Sequence, residues 1–178
     1  MVSISTGIKK RGETFLYDNN FTAAIECFFR VYLMEPEDTD NIIDLIYALN
    51  QNGDYASALT FAYAYLGKYE NFNKIDHLYF LTAEAFGGAG CIEGCVQMLE
   101  RCIEANPDGA VYKDAVAFLK DVKEKYEVDK YDKTTNCVAM SLPNAIADSS
   151  VLNYSCFLNR LNSSCKTSKH LSGRSHLL

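Results

Sequence analysis

One phrase recurs three times in this chain, and its spacing restricts the fold more than any other feature. NNFTAAIECFF at 19–29, NGDYASALTFA at 52–62 and AGCIEGCVQML at 89–99 each open on a turn and continue into small and apolar residues at helical spacing. Ala24 and Ala58 stand 34 residues apart, and Ala58 and Cys95 stand 37 apart. The three extra residues fall to GKYENFNK, 67–74, where a loop absorbs an insertion. Each reversal carries Asn or Gly, at Asn19-Asn20, Gly53-Asp54 and Gly90, because these residues tolerate the left-handed backbone that a tight helix reversal uses. Ala24, Ala58 and Cys95 follow where two crossing helices leave room only for a small side chain. Phe21, Tyr55 and Ile92, directly after the turns, are placed to fill the wedge between helices.

A second register runs through the same units. The first reads Ile8, Arg11, Gly12, Phe15, Ala24, Phe28, Pro36; the second Ile42, Leu45, Ile46, Leu49, Ala58, Ala62, Glu70; the third Tyr79, Thr82, Ala83, Phe86, Cys95, Leu99, Pro107. Over about residues 5–127 this resembles the tetratricopeptide repeat family, whose pattern is W-x2-L-G-x2-Y, A-x3-F, P. The middle unit departs from it at Ile46, Ala62 and Glu70. The resemblance implies an all-α fold, an α-α superhelix of three helix hairpins plus a capping helix. Helices are expected near 6–18, 22–34, 40–52, 55–67, 75–88, 92–105 and 109–127, with Asp38, Thr39 and Asp40 as N-cap candidates for the third. The seventh begins like a fourth repeat at Tyr112, Ala115, Val116 and Leu119. It buries Val111, Ala115, Phe118, Leu119, Val122 and Tyr126 on one face and shows charge on the other, as the end of a stack requires.

Charge divides the chain. Residues 1–130 hold 12 Lys and Arg against 21 Asp and Glu, a net of −9, whereas 131–178 hold 5 against 2, a net of +3. An acidic body repels phosphate backbones, so nucleic acid is not an expected partner. No stretch reaches about 18 uncharged apolar residues, and the start, MVSISTGIKKRGETF, lacks the apolar run of a signal peptide. The expectation is therefore no membrane partner and a cytoplasmic location. Seven cysteines without framework spacing then read as reduced thiols.

The domain division follows the composition: a repeat domain at 1–130 and a Ser/Asn-rich tail at 131–178. Three readings fit the tail. The first is a disordered extension. The second is an internal ligand, with Leu152, Phe157, Leu158 and Leu161 on one weak helix whose basic charge meets the acidic body. The third is a displaced reading frame, given how abruptly the texture changes.

Candidate chemistry is sparse. Cys91 and Cys95 at i, i+4 with His77 upstream make at most three ligands, short of a structural zinc, and Cys27, Cys95 and Cys102 read as small core residues. Cys137, Cys156 and Cys165 lie in the tail, as do His170 and His176, and His77 has no evident base or nucleophile beside it. GGAG at 87–90 lacks the Lys-Ser/Thr of a phosphate loop and closes a helix. EPEDTD at 35–40 lacks calcium-loop spacing and suits a helix start, where carboxylates meet the positive end of the helix dipole. No catalytic residue, metal or cofactor is expected.

The resemblance also implies a concave surface lined by the first helix of each pair, suited to a peptide or helix. On it would stand Lys9, Glu13, Leu16 and Tyr17 from the first unit, Ile43, Tyr47 and Asn50 from the second, and His77, Phe80 and Glu84 from the third, closed by Lys113 and Lys120. Some family members clamp the terminal carboxylate of chaperone peptides with Lys and Asn. Lys9 fits the first of those slots, but Glu13 and Asp44 replace the Asn residues and His77 and Leu81 the later basic ones, so no such binding is expected. The expected function is a non-enzymatic protein-interaction module, an adaptor or scaffold, whose partner segment has apolar anchors and basic flanks. Two alternatives stand beside it: a small three-repeat chaperone of the secretion type, and a helical fragment or accessory domain of an enzyme. Self-association through the last helix or the tail is a further option.

Overall fold

The computed structural model describes residues 3–66 and 74–126, all within the first of two compact units, Met1–Ser141. The second unit, Leu142–Leu178, lies outside the described residues, as do the expected tail and Glu70 in the 67–73 connection. Among the described residues seven helices run in order: α1 Ile4–Tyr17, α2 Phe21–Met34, α3 Thr39–Gln51, α4 Tyr55–Leu66, α5 Ile75–Gly88, α6 Ile92–Ala105 and α7 Tyr112–Tyr126. Among the described residues there is no strand. Each helix packs on the next, and α3 also meets both α1 and α5, so the pairs α1/α2, α3/α4 and α5/α6 stack side by side instead of surrounding a common centre. The chain is a tetratricopeptide-type repeat protein, as its register implies.

The three reversals share one hydrogen-bond geometry. Asn19, Gly53 and Gly90 have φ of +56°, +76° and +79°. The next residue's N–H donates back to the preceding helix, Asn20 to Phe15 O at 2.8 Å, Asp54 to Leu49 O at 3.0 Å and Cys91 to Phe86 O at 2.9 Å. The left-handed residue itself donates to Leu16, Asn50 and Gly87 O, which completes a Schellman motif each time. Two of the following residues then cap the next helix. Asn20 Oδ1 accepts from Ala23 N–H, and Asp54 accepts from Ser57 N–H and from its hydroxyl. The turn ends one helix and starts its partner within three residues, which fixes the hairpin angle.

Ala24, Ala58 and Cys95 are fully buried at the crossings. Small residues elsewhere admit aromatic rings: a Cβ on Gly12 would stand 2.7 Å from Phe28, and one on Gly94 would stand 2.8 Å from Phe86. The second helices meet through long side chains, Phe29 and Tyr32 of α2 around Phe61 of α4 at centroid distances of 6.1 and 5.4 Å. The first helices approach more closely through their backbones. In a repeat stack of this kind the first helices, here α1, α3 and α5, line the inner side.

Polar ties span 29–31 residues, two of them within a unit (Ser5–Glu35 and Asn106–Asp76) and two between units (Tyr65–Pro36 and Asn50–Leu81). Ser5 donates to Glu35 at 2.5 Å, Tyr65 to Pro36 O, Asn50 to Leu81 O at 2.8 Å and Asn106 to Asp76 at 3.0 Å. Asp38 is the N-cap of α3, accepting from Asn41 N–H at 3.0 Å. The expected start of the seventh helix at 109 needs correction. Gly109 N–H donates to Asn106 O and Tyr112 N–H to Gly109 O, a turn pressed against Asp76 and Asn106, so α7 begins at Tyr112.

Candidate functional site: the inner face of the stack

The inner face is built on α1, α3 and α5. Tyr17, at the end of α1, is 89% exposed, and Tyr47 on α3 is 41% exposed. Ile43 and Leu16 are half-buried. Phe80 on α5 is half-buried and meets Phe118 of α7 edge to face, with centroids 6.3 Å apart. Lys113 and Lys120 on α7 are exposed, and Lys120 lies 3.7 Å from Glu124 of its own helix.

Charge on this face is committed in a specific way. Lys9 reaches both oxygens of Asp38, at 3.0 and 2.9 Å, and Lys74 pairs with Asp40 at 2.6 Å. The cations at this end therefore serve the α3 N-terminus. Glu13 on α1 is exposed. Asp44, one turn into α3, forms no hydrogen bond or ion pair among the described residues. Burial pushes its carboxyl up to about 6; Lys9 and Lys74 oppose the rise, while Glu13 and Asp40 add to it.

His77 is half-buried and faces Asp76, with Nδ1 3.1 Å from Oδ1. Burial pushes the Asp76 carboxyl up, but the hydrogen bonds from the His77 ring, the His77 N–H and Asn106 outweigh it and hold it below the usual range. The pair locks α5 to the turn at 106–109 and supplies no nucleophile. Asn50 differs from its sequence expectation: it is only 6% exposed, and its amide is spent on Leu81 O, so it joins units instead of facing a partner. Glu84 is half-buried, with Oε2 sealed from solvent and lacking a hydrogen-bond donor.

Of the carboxylate-clamp slots, Leu81 is buried and Asp44 lies beside a Lys9 already engaged with Asp38. Sequence reasoning missed Asp38 and Asp76 as the anchors of Lys9 and His77. Lys9 and Asp38 stand 29 residues apart, close to the offset of the Ser5–Glu35 and Asp76–Asn106 bonds, whereas Asp76 directly precedes His77. Cys27, Cys95 and Cys102 are free and buried. Cys91, by contrast, is disulfide-bonded, which corrects the expectation of reduced thiols throughout and removes it as a ligand beside Cys95. Among the described residues no three His, Cys, Asp or Glu side chains gather as a metal site. Among the same residues no helix is long and apolar enough to cross a membrane.

Comparison with known proteins agrees with this architecture. The NMR structure of the first TPR domain of the human RPAP3 protein superposes at a TM-score of 0.60 with 15% identity, covering 72% of this chain and 98% of that one. No curated protein matches in sequence. The family model described as YfiO, outer membrane lipoprotein, matches residues 6–158, which is most of the 178 residues. A chain of stacked tetratricopeptide-type hairpins with a match of that extent belongs to the YfiO family.

Proposed function

We propose that the inner face of α1, α3 and α5 binds a segment of another protein, and that the chain acts as a non-enzymatic adaptor or scaffold. The single observation that supports this reading is the run of large apolar side chains on consecutive first helices: Tyr17, then Ile43 and Tyr47, then Phe80, each partly open to solvent. Aromatic side chains on a preformed surface are what binding hot spots are usually made of. The rim favours basic flanks on the partner, because Lys9 and Lys74 are paired while Glu13 and Asp44 are not. Glu13, Tyr17, Ile43, Tyr47, His77, Phe80 and Glu84 are the contact set, with Lys113 and Lys120 at the C-terminal end.

A pull-down with the full chain tests it. Tyr17→Ala and Tyr47→Ala should each lose a captured partner while melting as the parent does. Equal capture by both variants would move the binding surface elsewhere.

The cytoplasmic location is part of the proposal. The family description supports a second reading, in which the same module works at an outer membrane. Cell fractionation separates the two: recovery with the soluble proteins supports the first, and recovery with the outer membrane the second.

A further inference from the structure

Two oxygen acceptors at the joint between the second and third units lack donors. Asn50 Nδ2 donates to Leu81 O at 2.8 Å and pins α3 to α5, but Asn50 Oδ1 receives nothing. Glu84 stands one turn beyond Leu81 on α5, where the Asn50 amide acts on its carboxyl, and its Oε2 also receives nothing. Both atoms are sealed from solvent. An unmet buried acceptor weighs against the fold, and this joint carries two.

Among the described residues, the elements packed on α5 bring no cation to Glu84. From α3 comes Asn50, and from α6 the Cys95 thiol, itself pushed up to about 11 by burial and by Glu84 and therefore neutral. From α4, Tyr55 and Tyr63 reach Gly88 and Phe86, and from α7, Phe118 reaches Phe80 and Gly87. Along α5, His77 is paired with Asp76. The α7 lysines Lys120 and Lys123 turn to Glu124 and Glu100.

We propose that Glu84 is carried as a neutral carboxylic acid that donates to Asn50 Oδ1, which makes the joint between α3 and α5 a proton-dependent latch. One proton turns an orphan acceptor into a donor and satisfies the other orphan with the same bond. Burial raises the Glu84 carboxyl above its usual range, and the Asn50 amide opposes that rise, which agrees with this assignment. For an acid raised in the folded state, the native protein holds the proton more tightly than the unfolded chain. The stabilisation is complete at low pH and is lost as pH rises through the folded value. Ionisation leaves a carboxylate in the joint and loosens the inner face between the second and third units. This does not depend on what that face binds.

The test uses the full chain in an Asp44→Asn background, which removes the other raised carboxyl on this face. Carboxyl-carbon NMR should place the Glu84 midpoint well above the ordinary glutamate range. Glu84→Gln, whose amide donates without titrating, should flatten the fall in Tm between pH 4.5 and pH 8 and equal or exceed the parent at pH 8. Glu84→Ala should flatten the profile too, but at a lower Tm throughout. A midpoint in the ordinary range, or a Glu84→Gln profile parallel to the parent's, overturns the proposal. If the double variant does not fold, the NMR midpoint in the Asp44→Asn protein decides alone.

Discussion

Replacing Asp44 by asparagine isolates what the inner face does to a carboxylate. Asp44 sits half-buried on α3 with no hydrogen bond or ion pair among the described residues, and burial lifts its carboxyl from the ordinary 3.8 to about 6. That rise corresponds to a ceiling of about 3 kcal/mol. The side chain keeps an edge open to water, and screening there reduces the effect to about 1–1.5 kcal/mol. The sign follows from linkage. The native state holds the proton longer than the unfolded chain, so stability falls as pH rises from about 4 to about 6 and stays lower above that window. The asparagine side chain does not ionise and avoids the loss. Thermal melting at pH 7.5 should therefore show Asp44→Asn higher than the parent by about 3–6 °C, given the size of the body. Near pH 4 the two should melt together. Equal melting at pH 7.5, or a gain that persists unchanged at pH 4, would refute the burial argument.

Other outcomes follow from the same structure. Phe28→Ala removes a ring with no solvent exposure that lies over Gly12, and should destabilise by about 3–5 kcal/mol in denaturant titration. Gly53→Ala and Gly90→Ala meet open space but force an L-residue to positive φ, so each should lower stability by about 1–2 kcal/mol, whereas Asn19→Gly should be nearly neutral. Cys95 and Cys102, both pushed up to about 11 by burial, should resist alkylation at pH 8 in the native protein and react quickly in urea, as followed by mass spectrometry. Tyr47→Ala should change stability by less than about 0.5 kcal/mol, because the ring is substantially exposed.

The fold was legible because its instructions are local and repeated. Asn19, Gly53 and Gly90 announce the Schellman reversals, and Ala24, Ala58 and Cys95 announce the crossings, each within a few residues of the helix ends they control. The α7 start was misplaced because the stop lies in contacts rather than in Pro107 alone. Gly109 is held against Asp76, 33 residues away in sequence, and the turn through Asn106 delays the first helical bond. The candidate site was legible only as a list of faces. Helical register places Asn50 and Glu84 on the inner side, yet the neighbouring unit closes over the first and half-covers the second. Which side chain remains open depends on inter-unit distance, and periodicity carries no information about that. The cysteines show the same limit: spacing favoured free thiols, which holds for Cys27, Cys95 and Cys102 and fails at Cys91.

The proposed role requires the inner face of the stacked hairpins to hold a protein segment. The most direct measurement is backbone NMR of the isotope-labelled full chain, titrated with a peptide spanning the segment of a captured partner that crosslinks to it. Shift changes should concentrate on α1, α3 and α5 around Tyr17, Tyr47 and Phe80, and be lost in Tyr47→Ala. Changes concentrated on the outer helices α2, α4 and α6, with the inner face undisturbed, would contradict it.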